Sequence, residues 1–347
     1  MFFYCSLVAY GQDYWFQKGL STTDPNERVK YFTNSIDKEG ELANTYFYRG
    51  LAYLNLTQFT AAIQDFTSAI GLQPNYAYAY LSRGYAYQQL QEYERAINDY
   101  TIGIDINPYY QDAYQARGKA YLFMKLYYEA INDYSKVIEL DPTNALAYFS
   151  RGFIYDKLEQ FENAISDFSI SIKLKPNISG TYCSRGDAYG KIGRLDDAMT
   201  DFRKAIEINP QDNEAYISLS VVYSAAKDFD AAEEILIQGI RQIPNNSNMY
   251  QALGSIYLER DNLENAIISF KKCLTSDANN FGAELKLSIS YYKLGDMSNA
   301  KKFLFDAIKL EPTLAKGYDG ILELEKKGWA FSDQYKETLA KMFMEFY

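Results

Sequence analysis

The sequence predicts an all-α solenoid of antiparallel helix pairs, and three observations carry that prediction. Proline recurs every 34 residues, at Pro74, Pro108, Pro142, Pro176, Pro210 and Pro244; the series skips one beat at Ala278 and returns at Pro312. With the proline at position 32 of a 34-residue frame, eight units start at Ala43, Ala77, Gln111, Ala145, Ser179, Asn213, Ser247 and Phe281. In that frame position 20 is alanine and position 11 is tyrosine in all eight units. A fixed period of this length marks stacked supersecondary units, not one closed globule around one cleft.

The elements follow in order. Phe2, Phe3, Tyr4, Cys5, Leu7, Val8 and Ala9 make a short apolar run, and Ala9, Tyr10 and Gly11 offer a small-x-small site before the polar Gln12. Residues 1–11 therefore read as a signal-peptide remnant. No Lys or Arg precedes Lys18, so the basic leader is missing. Either the start lies upstream of Met1, or the run is the first apolar turn of an N-terminal helix. The reading favours export, to a periplasm or cell surface, over the cytoplasm. The run is too short to span a bilayer, and no later segment is long and apolar enough to do so.

Residues 12–42 read as a degenerate N-terminal repeat. Trp15, Phe16 and Gly19 suit a first helix, and Val29, Phe32 and Ile36 suit its partner. The link between them is about one turn short, and Gly40 takes the proline slot.

Residues 43–314 hold the eight regular units. Position 4 is tyrosine in seven, with Glu284 the exception; position 8 is glycine in six, with Ser220 and Ser288 in the others. Small residues at 8 and 20 let the two helices of a unit cross closely. Tyrosines at 4 and 11 share one helix face beside that crossing. Aromatic residues at position 24 (Phe66, Tyr100, Tyr134, Phe168, Phe202, Phe270) pack back onto it. The proline cannot continue the second helix. Asn75, Asn144 and Asp212, just after it, suit the cap of the next helix.

Residues 315–347 read as C-terminal capping helices. Residues 315–327 begin a ninth first helix, and a final helix follows Gly328 with Ser332 or Asp333 as cap. Its stripe of Tyr335, Leu339, Met342, Phe343 and Phe346 seals the last repeat or, alternatively, docks a partner or a second copy.

Composition excludes several chemistries. The net charge of -10 argues against a nucleic-acid partner, which requires a basic face. There is no histidine, the commonest metal ligand and general acid–base. Cys5, Cys183 and Cys273 form no CxxC pair and no zinc spacing. Gly186 to Lys191 is one residue short of a phosphate loop, and Ile192 stands where a hydroxyl is needed. No metal, cofactor or catalytic constellation is expected, and the chain reads as a non-enzyme.

One substitution runs in pairs. Units one to five carry Arg at position 7 (Arg49, Arg83, Arg117, Arg151, Arg185) and Asp at position 23 (Asp65, Asp99, Asp133, Asp167, Asp201). Units six to eight have Leu219, Leu253 and Leu287 opposite Ile235, Ser269 and Phe303. Joint presence and joint absence predict a direct, partly buried ion pair that sets hairpin register.

The small and aromatic positions together resemble the tetratricopeptide repeat family over about residues 43–314. The resemblance implies a right-handed superhelix whose first helices line a concave groove through positions 2, 5, 9, 12 and 13. The Lys and Asn set with which some members clamp C-terminal carboxylates is absent here. Positions 5 and 9 are instead apolar or aromatic in units one, two and four. The candidate partner-binding residues are Phe47, Leu51, Tyr78, Leu81, Tyr85, Lys119, Phe149 and Phe153. Such a strip either binds or packs. If it binds, Phe149→Asp abolishes partner capture without melting the array; if it packs, the array melts. The function expected is a non-catalytic scaffold that grips a protein or peptide along this groove. The alternative is the regulatory or assembly-sensing portion of a larger envelope or signalling protein.

Overall fold

The computed structural model describes residues 14–39, 42–328 and 332–346. The apolar run at 1–11 lies outside the described residues. Among those described, the secondary structure is helical, with no strand. Two compact units meet in sequence at Lys175 and Pro176.

The first unit opens with α1 (14–21) and α2 (Pro25–Glu39), followed by four regular pairs. These are α3 (Ala43–Asn55) with α4 (Phe59–Leu72), α5 (Ala77–Gln89) with α6 (Tyr93–Ile106), α7 (Gln111–Phe123) with α8 (Tyr127–Leu140), and α9 (Ala145–Lys157) with α10 (Phe161–Leu174). The second unit pairs α11 (Ser179–Lys191) with α12 (Leu195–Ile208), α13 (Asn213–Ala225) with α14 (Phe229–Gln242), α15 (Ser247–Glu259) with α16 (Leu263–Ser276), and α17 (Phe281–Leu294) with α18 (Met297–Leu310). It closes with a 3-10 turn at Pro312–Lys316, α19 (Tyr318–Lys326) and α20 (Asp333–Phe346). The expected ninth first helix is thus shortened, broken at Gly317 with φ of 64°.

Within each unit, successive helices from α2 to α10 and from α11 to α18 pack on their sequence neighbours, as a solenoid requires. First helices also approach the next first helix: α3 meets α5, α5 meets α7, α11 meets α13, α13 meets α15 and α15 meets α17. That approach makes the first-helix side the inner face of each unit.

All eight position-20 alanines are fully buried. The glycine opposite has a more specific partner than the crossing alone. A Cβ on Gly50 would lie 2.7 Å from the ring of Phe66, and one on Gly84 would lie 2.6 Å from Tyr100. Gly118, Gly152, Gly186 and Gly254 face the position-24 ring in the same way. Where position 8 is Ser220 or Ser288, position 24 is Leu236 or Leu304. The aromatic ring therefore requires the glycine, and a smaller side chain releases it. Gly19 against Phe32 repeats the motif in α1 and α2, at 2.6 Å, despite the shorter link.

The predicted ion pairs form in all five units. Arg49, Arg83, Arg117, Arg151 and Arg185 each fork onto both carboxylate oxygens of their aspartate at 2.7–2.9 Å. The aspartates are buried. Within the first unit the arginine also donates to a hydroxyl on the preceding second helix: Arg49 to Thr33, Arg83 to Thr67, Arg117 to Thr101 and Arg151 to Ser135. Tyrosines at 4 and 11 flank the guanidinium, as Tyr114 and Tyr121 do around Arg117. One arginine thus ties three helices.

One local feature differs from expectation. Asn144 and Asp212 cap the following helix through the backbone N–H of Ala147 and Ala215. Asn75 does not: the cap position before α5 is Tyr76, whose side chain accepts no such bond. Position 15, between the two helices, is left-handed in all eight repeats, at φ between 58° and 86°, yet only Gly193 and Gly295 are glycines.

Candidate functional site

The inner face of the first unit sorts the eight expected residues into two groups. Position 5 points back into the hairpin. Phe47 is 8% exposed, with its ring 5.8 Å from Phe66 and 4.9 Å from Tyr76. Phe149 sits 5.7 Å from Phe168, and Leu81 packs on the cluster around Tyr100. Leu51, at position 9, is half-buried against the Phe47–Phe66 cluster. These side chains hold the helices together.

The rest face outward. Tyr78 is 59% exposed and Tyr85 47%. Tyr78 makes an edge contact with Tyr110, whose hydroxyl pKa burial pushes up. Lys119 is exposed, its ammonium over the Phe123 ring. Phe153 is half-buried with Lys157 over its ring at 5.0 Å. Phe123 and Leu146 extend the same face and are exposed. They occupy positions 13 and 2, both within the predicted groove set, so the frame itself could have named them.

The inner face of the second unit carries two pockets. A pocket of about 590 Å³ opens between α13 and α15. Ile217, Val221, Ala252 and Ile256 give it an apolar floor, and Asn213, Glu214, Asn248, Gln251 and Glu259 ring it with polar groups. Lys286 reaches it from α17, donating to Ser255 Oγ at 2.8 Å. Burial lowers the lysine's pKa, and Glu259 partly offsets that. A second pocket of about 380 Å³ lies between α11 and α13, beside Gly186 and Gly190. The residues resembling a phosphate loop are helical, within α11. No motif announces these pockets. They exist because Ser218, Ala252, Ser255 and Gly190 are small.

Repeat eight is covered. Ser332 caps α20 through the Tyr335 N–H at 3.3 Å. Tyr335, Leu339, Met342 and Phe343 then join one apolar cluster with Leu285, Leu287 and Ile289. The Tyr292 hydroxyl donates to Glu345 at 3.0 Å.

Among the described residues, no group of three or more His, Cys, Asp or Glu could hold a metal ion. Cys183 and Cys273 are free, and burial raises both thiol pKa values. No described helix is long and apolar enough to cross a membrane.

Comparison with known proteins agrees with this architecture. Tetratricopeptide repeat models match residues 49–110, 145–178, 193–256, 247–280 and 285–314, and a TPR repeat model matches 127–159. Superkiller protein 3 of Schizosaccharomyces pombe is 34% identical over 86 residues, which is 24% of this chain but 6% of that protein. A tetratricopeptide repeat protein from Parabacteroides merdae is 17% identical, with a TM-score of 0.53 over 72% of this chain and 98% of that one. YrrB, described as a TPR protein with an unusual peptide-binding site, is 24% identical, covering 52% of this chain and 93% of its own at a TM-score of 0.47. With its 34-residue frame, paired helices and the family models that match most of its length, the chain is a tetratricopeptide repeat protein, a scaffold fold typical of protein–protein interaction.

Proposed function

We propose that the chain is a non-catalytic scaffold that holds a protein or peptide partner along the inner face of its first helices. The observation that carries this is the exposed aromatic face of repeats two to four. Tyr78, Tyr85, Phe123 and Leu146 stand in solvent there, without the burial that hairpin packing gives Phe47. Exposed aromatic side chains offer large contact area at low rotamer cost, as tyrosine does at interface hot spots. Of the expected residues, Tyr78, Tyr85, Lys119 and Phe153 are assigned to partner contact. Phe47, Leu51, Leu81 and Phe149 are assigned to support beneath them.

The test is a pull-down with intact protein and with Tyr78→Asp/Tyr85→Asp protein, captured proteins being quantified side by side. Loss of specific partners with an unchanged thermal transition supports the reading. Identical capture by both proteins overturns it. Phe149→Asp is the wrong probe, because it places a carboxylate against the buried Phe168 ring and melts the hairpin.

A further inference from the structure

The C-terminal helix shows how this fold's inner face receives a helix. Position 9 of the first helix is half-buried or exposed in repeats one to seven, yet Ile289 of repeat eight is 1% exposed. Leu285, at position 5, is 2% exposed. What covers them is α20, laid along α17 with its apolar stripe inward. Its first turn ends near the pocket: the Tyr335 hydroxyl is buried beside Glu259, which lines the pocket rim.

The next stretch of the same face, over α13 and α15, is open. Its floor shares apolar residues at positions 5 and 9 with the α20 seat, here Ile217 and Val221 of repeat six, and adds Ile256 of repeat seven. Val221 is 59% exposed. Its rim differs. Glu214 and Glu259 stand there without an ion pair among the described residues, with the buried Lys286 ammonium held on Ser255. Two carboxylates against one ammonium leave the pocket net negative.

We infer that the inner face of repeats six and seven is a docking site for an amphipathic α-helix of a protein partner, seated as α20 is seated on repeat eight. Its apolar residues, spaced i, i+4, i+7, meet Val221, Ile217 and Ile256, and a basic residue near either end meets Glu214 or Glu259. A helix fits this wall better than an extended peptide. The wall is made of helices whose backbone groups are already bonded, so it has no strand edge to pair with, whereas a docked helix satisfies its own N–H and C=O groups. The proposal rests on the scaffold reading and names the partner's form at one part of the face.

The test uses a displayed library of random peptides of about 16 residues, long enough for four helical turns, selected against the full chain. Enriched peptides with apolar spacing of three and four plus a Lys or Arg support the inference. So does helical circular dichroism on binding, and affinity at least about tenfold weaker for Val221→Arg/Glu259→Lys protein. Both side chains are exposed; should that double variant unfold, Glu214→Lys alone gives the same reading. Enriched peptides that lack the spacing, or that bind the variant as tightly, overturn it. Peptides that depend on Tyr85 but not on Val221 overturn the helix dock and leave the scaffold reading standing. Peptides that depend on neither overturn both.

Discussion

Repeats one to five and repeats six to eight hold the same hairpin by different means. The first group buries an Arg–Asp fork in every unit, and its helices are poorly capped: of the ten from α3 to α12, only α9 has a side-chain cap, Asn144. The second group replaces the fork with leucine packing, and all six helices from α13 to α18 carry an Asp or Asn cap. The difference teaches where specificity is placed. A buried fork fixes register through geometry, and through the hydroxyl it also fixes one pair against the pair before it. Leucine packing tolerates sliding, so the ends of the helices carry the definition instead.

The largest expected effect breaks the fork. Arg117→Ala leaves Asp133 buried and uncompensated, and should cost about 3–5 kcal/mol in urea unfolding. Burial already raises the Asp133 pKa even with the arginine in place, so desolvation is a large opposing term. Replacing both, as Arg117→Leu with Asp133→Ile, imports the repeat-six solution and should restore most of the loss. Additive effects of the two single changes in a double-mutant cycle would show that the pair does not act as a unit.

Next in size is the glycine under the ring. Gly84→Ala drives a methyl into Tyr100 at 2.6 Å and toward the Ala96 carbonyl at 3.1 Å. Overpacking of this kind costs about 1–3 kcal/mol. Adding Tyr100→Leu reproduces the pairing of small residue and leucine seen at Ser220 and Leu236, and should recover part of it. No recovery would mean that position 24 is not what demands the glycine.

Much of this could be read in the sequence because the chain repeats its frame eight times and so supplies its own comparison. The Arg–Asp pairing, the buried alanines and the hairpin boundaries follow from columns of that frame. What could not be read depends on neighbours outside the column. The hydroxyls of Thr67 and Thr101 serve the arginine one repeat later, so no single unit shows the contact. Asn75 has the right chemistry one residue too early to cap. Positions 5 and 9 look alike as apolar residues, but the rings of Phe47 and Phe149 lie 5.8 and 5.7 Å from the position-24 rings of Phe66 and Phe168, which turns them into packing. The pocket over α13 and α15 is made by side chains that are small, and a missing side chain leaves no motif.

A charge inside the leucine group gives the next effect. Glu284 stands where seven repeats have tyrosine, its Oε2 buried without a hydrogen-bond partner. Burial, with Asp306 nearby, raises its pKa to about 7, while Lys302 and Lys309 oppose the shift. The folded state therefore holds this proton more tightly than the unfolded chain does. The stabilisation is full below the ordinary value of 4.5 and is lost as pH rises through 7. Stability should fall by ~1–2 kcal/mol across that window once solvent screening is allowed for. Glu284→Gln should flatten that part of the profile; an unchanged slope would place the titration elsewhere.

The smallest effect carries a cap from the second group into the first. Gln58 precedes α4 with no side-chain bond to the helix, whereas Asp228, at the same position before α14, accepts from the Ala231 N–H at 3.1 Å. The backbone at the two sites is alike, with φ and ψ of -87° and 65° at Gln58 and -90° and 74° at Asp228. Gln58→Asp should therefore bond the N–H of Ala61, place a negative charge at the helix N-terminus, and add about 1 kcal/mol. Hydrogen exchange of the first turn of α4 reads the gain locally, which matters in an array whose repeats need not unfold together. Protection that rises there, with α14 unchanged, would show that caps and forks are independent supports that one hairpin can carry together. No gain would mean that the fork between Arg49 and Asp65 already fixes the start of α4, so that the two groups hold alternative solutions to one constraint.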